Sequence, residues 1–123
     1  MSDYKDLRVW QESMEFVHDV YKATQSFPKD EIYGLTNQIR RAAVSIPSNI
    51  AEGASRSSQK DFVHFLHIAL GSASEIETQI LIAARLLYLS NPDNLLTRVT
   101  VIRKSINALI RSLRQPSTLY HQP

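Results

Sequence analysis

The sequence has 123 residues, enough for one domain and too few for two separate hydrophobic cores. It contains no cysteine, which excludes thiolate catalysis, disulfide bonds and every metal site built on cysteine. Its 14 lysines and arginines against 12 acidic residues leave a net charge of +2, too small by itself to mark a nucleic-acid-binding protein. We find no signal sequence and no apolar run near the ~20 residues of a spanning helix. We therefore predict a cytoplasmic protein with no membrane partner.

Two amphipathic helices are predicted in the first half of the chain. The first covers residues 3–24, where apolar residues at steps of three and four predict one buried face. Its predicted seam is Leu7, Trp10, Met14, Val17 and Tyr21, widened by Val9, Phe16 and Val20. The second covers residues 30–53, and Pro47 is expected to kink it because proline lacks a backbone donor and crowds the carbonyl of Ala43. Gly53 is expected to end this helix.

Two further helices complete the chain. The third is expected to begin at Ser58 or Ser57 as N-cap, with Asp61 in a position like that of a capping box, and to run for about 50 Å to residue 90. Its predicted seam is Phe62, Leu66, Ala69, Ala73, Ile76, Ile80, Ala83 and Leu87. The fourth helix covers residues 92–115, and residues 116–123 are predicted to be a flexible tail. Short loops between four amphipathic helices predict an all-α fold, an antiparallel up-down-up-down four-helix bundle in which residues 1–115 form a single domain.

The third helix is apolar on more sides than a monomeric bundle requires. A second apolar line and part of a third accompany its seam, namely Val63, Leu70, Leu81, Ala84 and Tyr88, and then Phe65, Ile68, Ile82 and Leu86. A helix that is apolar nearly all round needs burial on more than one side. We therefore infer a homo-oligomer with this helix at or near the interface. A splayed helix covered by the chain termini is the alternative.

No histidine cluster indicates a metal site. Glu15 and His18 have the Glu-x-x-His spacing of di-iron bundles, but this spacing occurs once and lies on the hydrophilic side of the first helix. His64 and His67 are three residues apart and have only Asp61 near them at ligand spacing, which favours histidines at the edge of an apolar seam. Nucleophile-elbow and dinucleotide motifs are also missing from the sequence. We predict no enzyme activity, no metal, no cofactor and no small-molecule substrate.

Three carboxylates and one glycine lie close to the predicted seams. We expect Glu52, Glu75 and Glu77 to pair with Arg40, Arg41 or Arg56, or to cap a kinked backbone near Pro47. Gly71 precedes Ser72 in the middle of the third helix, where glycine costs about 1 kcal/mol relative to alanine. The close approach of another backbone at Gly71 is expected to offset this cost.

Basic residues are concentrated near the end of the chain. Residues 94–123 contain five cations and no acidic residue, namely Arg98, Arg103, Lys104, Arg111 and Arg114. Lys104, Arg111 and Arg114 recur at helical spacing and are predicted to share one outward face. Closed symmetry would repeat this face around an oligomer and concentrate positive potential that can hold phosphates. A merely solvated helix face is the alternative.

One run of residues has an unusual and specific pattern. Residues 39–53 read IRRAAVSIPSNIAEG and resemble the signature of the four-helix-bundle proteins encoded in intervening sequences of bacterial 23S ribosomal RNA genes. Residues 7–10, 33–36 and 62–75 are similar to the same family, so the resemblance covers about residues 4–115. The sequence also resembles the accessory protein of diversity-generating retroelements, a basic pentamer that binds its reverse transcriptase and nucleic acid.

The resemblance implies a homopentameric ring or barrel of four-helix protomers, in a family whose members mostly have no assigned activity. It adds four candidates for phosphate contact, namely Arg40, Arg41, Arg56 and Lys60. The signature residues are interpreted as structural, namely Pro47, Asn49, Glu52 and Gly53 in the second helix and Gly71, Ser72 and Glu75 in the third. In this interpretation Pro47 sets a kink, Asn49 and Glu52 satisfy backbone groups that it frees, and Gly53 ends the helix.

We therefore predict a non-enzymatic homo-oligomer that binds RNA, DNA or a nucleic-acid enzyme through a basic face. A protein-binding adaptor or scaffold without nucleic-acid contact is the alternative, and it would tolerate neutralisation of Lys104, Arg111 and Arg114. A hydrolytic or metal enzyme is a third hypothesis, which requires a bound metal.

Overall fold

The computed structural model describes residues 3–114, and within this range the protein is all-helical without a strand. Its four α-helices are α1 (Arg8–Thr24), α2 (Leu35–Ala54), α3 (Gln59–Arg85) and α4 (Asp93–Arg114). Two short 3-10 helices, Tyr4–Asp6 and Lys29–Glu31, precede α1 and α2. The prediction of an all-α fold with four helices is confirmed. The tail predicted over residues 116–123 lies outside the described residues.

The helices are arranged so that each packs against two neighbours. Both α2 and α4 contact α1 and α3, whereas the described residues of α2 and α4 do not contact each other, and neither do those of α1 and α3. This packing is consistent with a four-helix bundle. All four helices contribute buried side chains to one core, the largest being Phe16, Ile39, Ile46, Ile50, Leu66, Ile76, Ile80, Ile102 and Ile106. None of the described helices combines the length and the apolarity needed to cross a membrane.

Helix α1 buries the residues predicted to widen its seam, namely Val9, Phe16 and Val20, whereas Leu7, Trp10 and Val17 of the seam itself are only partly buried against the core. Two hydroxyl residues lie on the buried face, where Ser13 Oγ donates to the carbonyl of Val9 (2.7 Å) and Thr24 Oγ1 to that of Val20 (2.9 Å). Met14 of the predicted seam is instead 46% exposed. A hydroxyl that donates a hydrogen bond to a carbonyl of its own helix can be buried at little cost. The core face of α1 therefore contains polar residues, which apolar periodicity alone would predict to be exposed.

Helix α3 begins where the sequence predicts and ends five residues earlier. Ser58 is its N-cap, and Ser58 Oγ accepts a hydrogen bond from the backbone N–H of Asp61 (3.1 Å). The last helical residue is Arg85, because Leu87 adopts a left-handed conformation with φ of 64°. The N–H of Tyr88 then donates to a carbonyl of the last turn, as in a Schellman motif, in which glycine usually occupies the left-handed position.

Neither of two glycines has the role that the sequence predicts for it. Helix α2 continues through Pro47 and past Gly53 to Ala54, so Gly53 does not end the helix. Gly53 is buried against α3, and a β-carbon built there would lie 2.8 Å from Cβ of Phe65. Among residues 3–114, nothing lies within 4 Å of a β-carbon built at Gly71, so the described part of the protomer does not provide the predicted close approach there.

A hydrogen bond connects the 3-10 helix before α2 to the segment after α3. The hydroxyl of Tyr88 donates to Glu31 Oε2 (2.9 Å), and Glu31 Oε1 accepts from the backbone N–H of Leu35 (3.0 Å). The bond from Leu35 and then that from Tyr88 lower the pKa of Glu31, and the bond to Glu31 raises the pKa of Tyr88. Sequence analysis found neither partner, because their charge and spacing carry no pairing signal.

Candidate nucleic-acid interface

Three exposed cations follow one side of α4. Lys104, Arg111 and Arg114 are exposed, and none of them forms an ion pair with a residue in the range 3–114. Their separations of seven and three residues place them on the same side of the helix, since about 3.6 residues make one turn. We call these three residues the α4 basic face. Its charges are free to attract an anion from solution.

Arg98 and Arg103, also on α4, are already paired with carboxylates of neighbouring helices. Arg98 forms an ion pair with Asp19 of α1, and Arg103 Nη2 donates to Glu77 Oε1 of α3 (2.7 Å). The side chains of Arg98 and Arg103 are 28% and 29% exposed. Both arginines connect α4 to an adjacent helix and have less positive potential to offer a phosphate than the α4 basic face.

A cleft at one end of the bundle brings Lys60 and Arg114 together. The cleft has a volume of about 360 Å³, and its walls also include Gln59, Val63 and Leu113. Lys60 is exposed and has no carboxylate partner in the described part of the chain. The start of α3 therefore adds a fourth unpaired cation beside the end of the α4 basic face.

Arg40 and Arg41 lie on α2, away from these cations. Arg40 Nε donates to Thr24 Oγ1 (2.9 Å), and its guanidinium lies 4.6 Å from the centre of the Tyr21 ring. Arg41 is exposed and forms no ion pair with any described residue. Since the described residues of α2 and α4 do not contact each other, Arg40 and Arg41 do not extend the α4 basic face.

Arg56 follows α2 and is neutralised locally. Its guanidinium donates to Glu52 Oε2 (2.6 Å) and lies 4.9 Å from the centre of the Phe65 ring. This pair is one of the carboxylate–arginine contacts that the sequence analysis expected for Glu52. Phosphate contact by Arg56 stays a prediction.

Two of the signature residues, Asn49 and Ser72, meet at Ser45 in a polar cluster between α2 and α3. Ser45 Oγ lies 2.7 Å from Ser72 Oγ, and Asn49 Nδ2 donates to both the carbonyl (2.8 Å) and the hydroxyl (2.9 Å) of Ser45. The carbonyl that Pro47 leaves free is that of Ala43. Asn49 binds the carbonyl of Ser45 instead, so the predicted role of Asn49 was wrong. Sequence analysis also missed Ser45, which joins the two halves of the cluster.

The carboxylates of α3 differ in their partners. Glu77 is paired with Arg103, whereas Glu75 accepts a hydrogen bond only from Gln79 Nε2 (3.2 Å) and has no cation partner among residues 3–114. Gln79 is 6% exposed. Within the same range, no three histidine, aspartate or glutamate side chains are placed to hold a metal ion.

Together, the fold and this surface define a four-helix protein whose most distinctive exposed feature is an unpaired basic helix face. Residues 5–108 match the model of the 23S rRNA-intervening sequence protein family, and the chain belongs to that family. A crystal structure of a protein with unknown function from the S23 ribosomal protein family of Bacteroides thetaiotaomicron is similar to this fold, with a TM-score of 0.77. The two chains are 26% identical over 84% of this chain and 95% of the other. No curated protein matches the chain.

Proposed function

We propose that this protein is a non-enzymatic, homo-oligomeric RNA-binding module that holds phosphates on the α4 basic face and Lys60. The observation that carries the proposal is the contrast between paired and unpaired cations along one helix. Arg98 and Arg103 are engaged by carboxylates, whereas Lys104, Arg111 and Arg114 are exposed without such partners in the described residues. Unpaired cations bind phosphate by releasing the counterions that surround the nucleic acid.

The proposal includes an antiparallel up-down-up-down order of the helices, with α2 kinked at Pro47. Two contacts support this order. Thr24 near the end of α1 bonds to Arg40 near the start of α2, while Trp10 near the start of α1 lines a groove with Ala51 near the end of α2. The cleft shared by Lys60 and Arg114 relates the start of α3 to the end of α4 in the same way.

Five copies in a closed ring, as the family resemblance implies, would repeat the α4 basic face around a symmetry axis. Repetition matters because the net charge of one chain is only +2. Summed over a ring, the unpaired cations would create a continuous positive surface that steers RNA to the assembly. We place this assembly in the bacterial cytoplasm, without a cofactor.

The test is a fluorescence titration of a structured RNA and a duplex DNA with the purified protein. Lys104→Gln/Arg111→Gln/Arg114→Gln should weaken RNA binding at least tenfold. A matched variant, Lys22→Gln/Lys29→Gln/Arg85→Gln, removes the same charge elsewhere and should bind nearly as tightly as wild type. Absence of binding at low salt would overturn the proposal and favour the protein-binding adaptor.

A further inference from the structure

Two exposed apolar surfaces of this protein are complementary to each other. We infer that the outer side of α3 in one protomer docks into the groove between α1 and α2 of a second copy, with Glu75 facing Arg41. The inference rests on the homo-oligomer of the proposed function and names the two surfaces that would build it.

The first surface is a line of exposed residues on α3 and at its end, which we call the α3 ridge. Its members recur at steps of three and four residues and are all exposed, namely Ile68, Gly71, Glu75, Thr78, Ile82 and Leu86. Ile82 and Leu86 are 44% and 49% exposed, an unusual position for such large apolar side chains. Glycine is unfavourable inside a helix, and no described residue of the protomer comes within 4 Å of a β-carbon at Gly71 to require glycine there. An external chain that approaches closely at Gly71 would provide the missing reason.

The second surface is a concave one, which we call the α1–α2 groove. It has a volume of about 310 Å³ and is lined mainly by Trp10, Met14, Val17, Val44, Pro47 and Ala51. Met14 and Val44 are each at least 40% exposed. Trp10 and Val17 pack against the core and leave part of their surface in this groove, where Met14 is more exposed. An apolar groove of this kind is explained if a partner outside the protomer covers it.

Charge supports the pairing of the α3 ridge with the α1–α2 groove. Glu75 lies in the middle of the ridge and has no cation partner in its own protomer among residues 3–114. Arg41 is exposed three residues before Val44 of the groove and has no carboxylate partner in the same range. Docking ridge into groove brings these opposite charges together beside an apolar contact, which favours this partner and this register.

Pairing of two α3 ridges with each other is the competing geometry, and it is less favourable. The ridge extends from Ile68 to Leu86, so its midpoint lies near Glu77. An antiparallel pair centred there would place Glu75 of each copy within about one helical turn of the other Glu75, and like charges would repel. Such a pair would also leave the α1–α2 groove uncovered. A ridge-to-groove contact is head-to-tail, the type of contact that closes into rings.

Analytical ultracentrifugation of full-length variants tests the inference. A groove variant, Met14→Glu/Val44→Glu, and a ridge variant, Ile82→Glu, should each sediment as single chains with wild-type helix content by circular dichroism. Because each retains one intact surface, an equimolar mixture should form a dimer of one groove variant and one ridge variant. Variants that stay assembled, or a mixture that stays monomeric, would overturn the inference.

A charge exchange provides a second test with substitutions at exposed positions that should not disturb folding. Arg41→Glu and Glu75→Arg should each weaken assembly by at least fivefold, and the double variant should recover most of the affinity. If the double variant instead loses as much assembly free energy as the two single variants lose together, the pairing of Arg41 with Glu75 is overturned. A wild-type protein that sediments as a single chain would overturn both this inference and the proposed homo-oligomer. Wild-type assembly with unaffected variants would overturn the inference alone.

Discussion

Gly53 of α2 and Phe65 of α3 approach so closely that a β-carbon at position 53 would lie 2.8 Å from Cβ of Phe65. The same β-carbon would lie 3.1 Å from the carbonyl oxygen of Phe62. Neither neighbour is the flexible end of a side chain, so the backbones of α2 and α3 would have to separate. The signature glycine thus sets the distance between two helices.

Gly53→Ala should lower the free energy of unfolding by about 1–3 kcal/mol, as overpacking of a tight contact does. Gly71→Ala should raise it by about 0.5–1 kcal/mol, because its β-carbon meets no atom of residues 3–114 and alanine is the better helix former. Urea unfolding measures both, in an Ile82→Glu background so that assembly does not contribute. Equal effects at the two glycines would contradict the assignment of their roles.

Leu87→Gly should stabilise the protein by up to about 1 kcal/mol. Leu87 adopts a left-handed conformation (φ 64°) that is unfavourable for a residue with a β-carbon, and its side chain is 88% exposed, so its removal sacrifices little packing. The urea midpoint of Leu87→Gly should therefore rise, while Leu87→Ala should change it much less. A lower midpoint for Leu87→Gly would mean that the Leu87 side chain contributes more than its exposure indicates.

The Tyr88–Glu31 hydrogen bond should make stability depend on pH in two ranges. The folded state lowers the pKa of Glu31, so this contribution is present above the ordinary pKa of 4.5 and is lost as pH falls through the lower folded value. The folded state raises the pKa of Tyr88, so that contribution is present below the ordinary value of 10.0 and is lost as pH rises through the higher folded value.

Tyr88→Phe removes the hydroxyl and should reduce both dependences. Urea unfolding of wild type and Tyr88→Phe between pH 3 and pH 11 measures the difference, which should be largest near neutral pH and smallest at the two ends. A difference that does not change with pH would contradict the assigned hydrogen bond.

The ion pair between Glu77 and Arg103 should add about 1 kcal/mol to the free energy of unfolding. This value is at the upper end for surface ion pairs, since both side chains are only about one-third exposed. Arg103 Nε is buried and has no hydrogen-bond partner in the described part of the chain, so Glu77→Ala leaves the guanidinium poorly satisfied. A double-mutant cycle of Glu77→Ala and Arg103→Ala isolates the coupling. A coupling energy near zero would mean that Glu77 does not hold Arg103, which would then count among the candidates for phosphate contact.

Helix number and much of the core were predictable because most buried positions of α2, α3 and α4 are aliphatic and regularly spaced. Leu66 and Ile76, which belong to the predicted seam of the third helix, are fully buried. Periodicity of this kind reports the face that is buried when one apolar line dominates. The all-α fold follows from it.

The seam of α1 and the end of α3 were predicted less well, because the apolar pattern at each place is compatible with two structures. On α1, Trp10, Met14 and Val17 of the predicted seam line the α1–α2 groove, whereas the fully buried side chains are those of Phe16 and Val20. At the end of α3, Leu87 continues an apolar run and gives no stop signal, although its backbone ends the helix. No local signal in the sequence distinguishes these cases.

The sequence shows which basic residues could form the candidate interface, but it does not show which of them are free of carboxylate partners. Five cations at the end of the chain are visible in the sequence, but the partners of Arg98 and Arg103 come from α1 and α3, distant in sequence. Only the fold separates these two from Lys104, Arg111 and Arg114. Because pairing of this kind depends on tertiary contacts, charge counting alone overestimates the binding surface.

The most direct test of phosphate binding by the α4 basic face is the salt dependence of RNA affinity. The logarithm of the binding constant should fall linearly with the logarithm of salt concentration, with a slope of about −0.7 to −0.9 for each phosphate neutralised. Lys104→Gln/Arg111→Gln/Arg114→Gln should make this slope shallower by about 2 units or more, since each phosphate that is no longer neutralised reduces its magnitude by about 0.7 to 0.9. A variant whose slope equals that of wild type would contradict RNA binding by this face.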